Sequence, residues 1–237
     1  MTTAQRTAQP QNNAVVAAYG RNYARFALEQ KIHCVPVDDD EEQNYDSVND
    51  ILRQLLGGPV RGVILPRMRL SSDAEVLDCG YGKGAWIDSV LNLSPDALMV
   101  EFHSMFQSST GRPTVFLQDW WNRYARILQV TRKDPRVGPR LRQLMADAGF
   151  VDIQYHQIPC PMGAWDEDRA VLGRQALPVC QEMLRDVSEY LFKAVGRMEA
   201  SEFDRLIEGA QEELARPELR IYLNVHVCIG RKASRRR

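Results

Sequence analysis

The sequence has no C-x-x-C pair, no apolar run near the ~20 residues that a bilayer span requires, and no excess of charge of either sign. Its five cysteines, Cys34, Cys79, Cys160, Cys180 and Cys228, are scattered. That pattern fits reduced, buried thiols better than a disulfide framework or a zinc site. The opening stretch MTTAQRTAQPQNN has no apolar core of a secretory signal, so the expected location is intracellular, cytoplasmic or nuclear, with no membrane partner. Thirty Lys+Arg against 31 Asp+Glu leave a formal charge of −1, which removes the overall electrostatic footprint that nucleic-acid binding needs. Histidine is scarce, and His33, His103, His156 and His226 stand in no H-E-x-x-H or comparable spacing, so no metal site is expected.

What is present is an ordinary globular composition, 237 residues of which 44% are hydrophobic, enough to bury one core without a staple. The composition divides the chain into a polar tail over 1–18, one domain over 19–232 and a short basic tail over 233–237. The acidic run Asp38-Asp39-Asp40-Glu41-Glu42 reads as a solvated face at the start of a helix. It is followed by Tyr45, Val48, Ile51, Leu52, Leu55 and Leu56 at helical spacing and closed by Gly57-Gly58.

Further along, Phe116, Trp120, Tyr124, Ile127 and Leu128 recur as one face of a helix. Pro139 suits the first turn of a helix carrying Leu141, Leu144 and Met145, and Gly149 suits its stop. Residues 168–198 and 201–215 read as two more helices, the second starting at Ser201 and burying Phe203, Leu206, Ile207, Ala210 and Leu214. Strands are expected at 76–79, 98–103, 151–158 and 219–229. The last has every odd residue apolar: Leu219, Ile221, Leu223, Val225, Val227 and Ile229.

One segment has the form of a cofactor loop. Glu75-Val76-Leu77-Asp78 ends in Gly80-Tyr81-Gly82-Lys83-Gly84 and runs on into Ala85-Trp86-Ile87-Asp88-Ser89-Val90, in the order strand, glycine turn, helix. Successive N–H groups in such a turn face an anionic or polar ligand, and glycine permits the close approach. Lys83 is followed by Gly84 rather than Ser or Thr, which excludes a P-loop. Gly80, Gly82 and Ala85 also fit the nicotinamide-cofactor spacing, but no acid stands clearly at a strand end about 20 residues on.

The pattern V-L-D-x-G-x-G-x-G resembles motif I of the class I S-adenosylmethionine-dependent methyltransferases. The likeness extends to the fungal LaeA-like branch, through Tyr19-Gly20-Arg21-Asn22-Tyr23, the stretch from Pro36 to Gly58, Met99-Val100-Glu101-Phe102, Arg140 through Phe150, and Pro161-Met162-Gly163-Ala164-Trp165. The resemblance implies a Rossmann-like fold and S-adenosylmethionine as cofactor. It places Asp78, Gly80, Tyr81, Gly82 and Gly84 at the cofactor, with Tyr19 and Tyr23 on a segment folding over it.

The chain departs from that family in its middle. Only 14 residues, Ala85 to Leu98, separate Gly84 from the fifth-strand-like Met99, whereas a single β-α-β unit takes about 30 residues. The family's second to fourth strands have no room here, and with them go the acid that holds the ribose, the acid beside the adenine and the segment lining the methyl-transfer site. The expected architecture is a truncated Rossmann-like α/β fold, a reduced mixed sheet of about four strands with flanking helices. Its exposed edge would be covered by a second copy or another subunit.

Glu101 and His103 share a face by strand alternation and are the candidates for acid–base catalysis on a small metabolite; an edge pair hydrogen-bonded to the following loop is the structural alternative. Trp120, Trp121 and Tyr124 could wall a pocket or simply fill the core. The leading functional expectation is a methyltransferase-like protein of fungal secondary metabolism acting as a pseudoenzyme, partner protein or cofactor-free helper. An active methyltransferase completed by another subunit, and a shortened gene product, are the other two.

Overall fold

The computed structural model describes residues 14–30, 34–55 and 97–233. The expected strand at 76–79, the glycine turn at 80–84, Cys79, Trp86 and the helix-closing Gly57-Gly58 lie outside them. The described residues form a mixed α/β chain with six α-helices, a two-stranded antiparallel sheet and a three-stranded one.

Strand β5 (Ile221–Lys232) organises the larger sheet, standing between β3 (Ala97–Ser108) and β4 (Phe150–Pro161) and antiparallel to both. The expected mixed four-strand sheet is therefore, over the described residues, three strands with antiparallel neighbours throughout. β3 and β4 run parallel to one another only across β5. The alternation in β5 is realised: Ile221, Leu223, Val225, Val227 and Ile229 are all buried, in one cluster with Trp120, Leu184, Phe192, Phe203 and Ile207. Successive strand residues face opposite sides, so these five enter one core together, each side chain contributing about 1.5–3 kcal/mol of burial.

Three helices cover that face: α3 (Val115–Val130), α5 (Ala170–Asp186) and α6 (Ala200–Ala215). Trp120 of α3 is fully buried, its indole N–H donating to the Leu184 carbonyl at 3.2 Å and to Ser188 Oγ at 3.1 Å, and its ring stacked on Tyr124. The aromatic stripe is thus core. The other face of β5 is covered too, by α4 (Val137–Asp147), whose Leu141 and Met145 pack on Cys228. Cys34, Cys160, Cys180 and Cys228 are buried thiols.

Several boundaries differ from expectation. The single helix expected over 168–198 stops at Asp186, where the Ser188 N–H turns tightly to the Arg185 carbonyl. A wide turn over Leu191–Val195 follows, closed by the Gly196 N–H on the Leu191 carbonyl. Helix α6 starts one residue before Ser201, with Glu199 as the flanking residue and no side-chain cap, so Ser201 lies inside the first turn. Its expected buried set, Phe203, Leu206, Ile207, Ala210 and Leu214, is buried.

The N-terminal part is a hairpin, β1 (Val15–Ala18) and β2 (Arg21–Ala24), followed by α1 (Arg25–Glu29) and α2 (Asp39–Leu55). The hairpin takes in residues 15–18, which composition assigns to the tail. Its two-residue loop, Tyr19-Gly20, has positive φ at both positions (54° and 78°), the geometry that matches strand twist in a tight hairpin. Helix α2 packs along α5. No described helix is long and apolar enough to cross a membrane.

Candidate functional site

The strand register builds a polar patch on the α4 side of the sheet. Glu101 of β3 stands directly opposite His226 of β5, and His103 opposite Asn224. Residues opposite one another share a face, so the expected Glu101/His103 pair is extended by Asn224 and His226. His103 is not at the end of its strand: β3 continues to Ser108 after a bulge between His103 and Gln107. The alternative of a hydrogen bond from His103 to the following loop is also not realised at Nε2, which is buried without a partner.

The two imidazoles lie 5.6 Å apart between ring centroids, and the edge of Trp121 meets His103. The Tyr155 hydroxyl of β4 lies 2.5 Å from His226 Nδ1. With Tyr155 donating, His226 carries its own proton on Nε2, which is also buried and unpartnered. Burial pulls both imidazoles below their usual pKa, helped by Arg136 near His103 and by His103 itself near His226. Burial also pushes the Glu101 carboxyl up. The patch therefore holds groups that favour their neutral forms, the state in which an imidazole accepts a proton and a carboxyl donates one. Helix α4 lies flush on it: a Cβ at Gly138 would stand 2.6 Å from His226 Cδ2. His156 sits on the opposite face, paired with Val227.

A second polar cluster joins the N-terminal elements to α5. Arg21 of β2 grips Asp38 with two bonds, Nε to Oδ2 at 2.8 Å and Nη2 to Oδ1 at 2.6 Å, while its Nη1 donates to Asp186 at the end of α5. Asp38 also accepts the N–H groups of Asn22 and Glu41, the latter capping α2. The Arg21 guanidinium holds the Asp38 carboxyl far below the usual carboxylate range. Glu41 is buried, and its Oε2 lies 3.9 Å from Arg21 Nη2 with no hydrogen-bond partner of its own. The acidic run is thus only partly a solvated face, since Asp38 and Glu41 turn inward while Asp39, Asp40 and Glu42 stay exposed.

Of the residues that the sequence singles out, Asp78, Gly80, Tyr81, Gly82 and Gly84 lie outside the described residues. Tyr19 and Tyr23 flank Tyr190 at 6.2 Å and 5.3 Å. Tyr23 has no exposed surface and its hydroxyl is buried without a partner; Tyr19 is exposed at the hairpin tip, with Lys193 Nζ 5.3 Å above its ring. They anchor the hairpin. Tyr155 and Asp186 carry no motif, Arg21 lies in the 19–23 segment that carries the resemblance, and strand alternation signals His226 in advance. Among the described residues no group of three His, Cys, Asp or Glu side chains is placed to hold a metal ion. No protein-family model and no curated protein matches the sequence.

Proposed function

We propose that this chain is a methyltransferase-like protein of fungal secondary metabolism, a truncated Rossmann-like domain that has lost much of its S-adenosylmethionine pocket. It works as a pseudo-methyltransferase, either as a partner protein or as a cofactor-free helper in a biosynthetic reaction. The observation that carries this reading is where β3 begins. Ala97 follows Gly84 after only the twelve residues 85–96, less than half of one β-α-β unit of about 30 residues. A strand placed there leaves no space for the ribose- and adenine-binding segments.

One described residue supports the same reading. Tyr23, on the segment that the resemblance lays over the cofactor, has its ring fully buried against Tyr190 and presents no face to a ligand. The patch of Glu101, His103, His226 and Tyr155 supports the helper reading, because it brings acid–base groups together. A second reading, an active methyltransferase completed by another subunit, is favoured by the position of β3 at the edge of the three-stranded sheet.

Calorimetric titration of the folded protein with S-adenosylmethionine and S-adenosylhomocysteine separates the two. We expect no heat at millimolar ligand. Micromolar binding that Gly82→Arg abolishes would overturn the pseudoenzyme reading in favour of the completed pocket.

A further inference from the structure

The contacts between the N-terminal elements and α5 have an excess of negative charge that one proton reduces. Three carboxyls, Asp38, Glu41 and Asp186, converge on the single guanidinium of Arg21. Asp38 takes two of its bonds and Asp186 a third. Asn44 of α2 donates to the second Asp186 oxygen at 3.0 Å. Nearby, Glu189 is already engaged by Lys193 at 2.7 Å and faced by Arg185 at 3.7 Å, so neither cation is left to neutralise Glu41. Glu182 adds a further negative charge toward Asp186, and Tyr45 lies beside Glu41. Two buried carboxyls on different helices, with one arginine shared among three, cannot both remain ionised cheaply.

We infer that the N-terminal strap, β1 through α2, is seated on α5 with Glu41 protonated beside Asp186, and that raising the pH through neutrality loosens it. The direction of both titrations agrees with this geometry. Burial first, then the charge of Asp186, pushes Glu41 up to about 7 from an ordinary 4.5, and burial raises Asp186. A carboxyl raised by seating favours the seated state fully below its free value and loses that contribution as pH rises through its seated value. With those two values, the seating equilibrium weakens about tenfold between pH 6 and pH 8. The strap is held by polar contacts through Arg21, by the Tyr23–Tyr190 ring contact and by Cys34 and Ile51, which join the main core cluster, so a change of this size raises how often it opens without melting the rest.

The test is amide hydrogen exchange on the full chain at pH 6 and pH 8, expressed as protection relative to α6, whose amides report the core. Wild type should lose about tenfold in relative protection over residues 15–24 and 39–55. Glu41→Gln, which keeps the shape without the titration, should hold the strap protected at both pH values. Protection of the wild-type strap that is unchanged between the two pH values overturns the inference, whether or not the variant folds. So does a pH dependence that persists undiminished in a folded Glu41→Gln.

Discussion

A methyl group at Gly173 would stand 1.8 Å from the carbonyl oxygen of Gly163, and the Gly163 N–H returns a 2.9 Å bond to the Gly173 carbonyl. Backbone meets backbone there, and neither side can swing away. At Gly209 of α6 the same methyl would meet the Phe116 ring at 2.5 Å, but Phe116 is a side chain at the surface and can rotate. Alanine also favours the helix over glycine by about 1 kcal/mol. Gly173→Ala should therefore cost on the order of 3 kcal/mol, as overpacking against fixed atoms does. Gly209→Ala should stay within about 1 kcal/mol of wild type, where helix propensity and ring displacement offset. Urea midpoints at unchanged slope measure both; equal losses in the two variants would show that the nature of the opposing atom does not decide the cost. At this same scale, alternation in the sequence puts Glu101, His103 and His226 on strand faces, but it does not show that Tyr155 meets His226, which depends on the β4–β5 register.

Helix α3 is capped by another helix. Thr114 before it makes no side-chain bond, and Glu213 of α6 supplies both acceptors: Oε1 takes the Val115 N–H at 2.7 Å and Oε2 the Leu117 N–H at 2.9 Å. Glu213 is almost fully buried, so its charge sits against the positive end of α3 with little water to screen it. Removing the carboxylate leaves one buried and one part-buried donor unpaired. Glu213→Ala should cost about 2 kcal/mol and Glu213→Gln, with one acceptor left, less than that. Exchange of the 115–118 amides should accelerate in the same order. A stability loss without faster exchange there would assign Glu213 a packing role only. The cap is invisible in sequence because donor and acceptor are 96 to 98 residues apart, whereas the local Ser201 signal points to a cap that α6 does not use. The periods of α3, α4, α6 and β5 are legible because one face of each meets a single core. The β1–β2 hairpin is not, since Val15–Ala18 has no alternation and its turn starts with Tyr19 rather than Asn or Asp.

At the scale of the molecule, the three-stranded sheet has two outer strands, β3 and β4, each paired on one side only among the described residues. β5 is paired on both sides, and its two faces are buried under α3, α5 and α6 and under α4. β3 is paired on one side only among the described residues, over twelve residues or about 40 Å of strand. Met99 near its start is exposed. A long edge with unpaired backbone groups joins other strands unless something covers it. The expected strand at 76–79 is too short to cover twelve residues, since four residues reach about 13 Å. The remainder is long enough to pair with its equivalent in a second copy, continuing the sheet across a two-fold axis. Light scattering during size exclusion should accordingly give twice 27.0 kDa, and dilution to monomer should speed exchange of the β3 amides while leaving those of β5 unchanged. A monomer at all concentrations with protected β3 amides would place the cover within the same chain and remove the structural support for a pocket completed by a second copy.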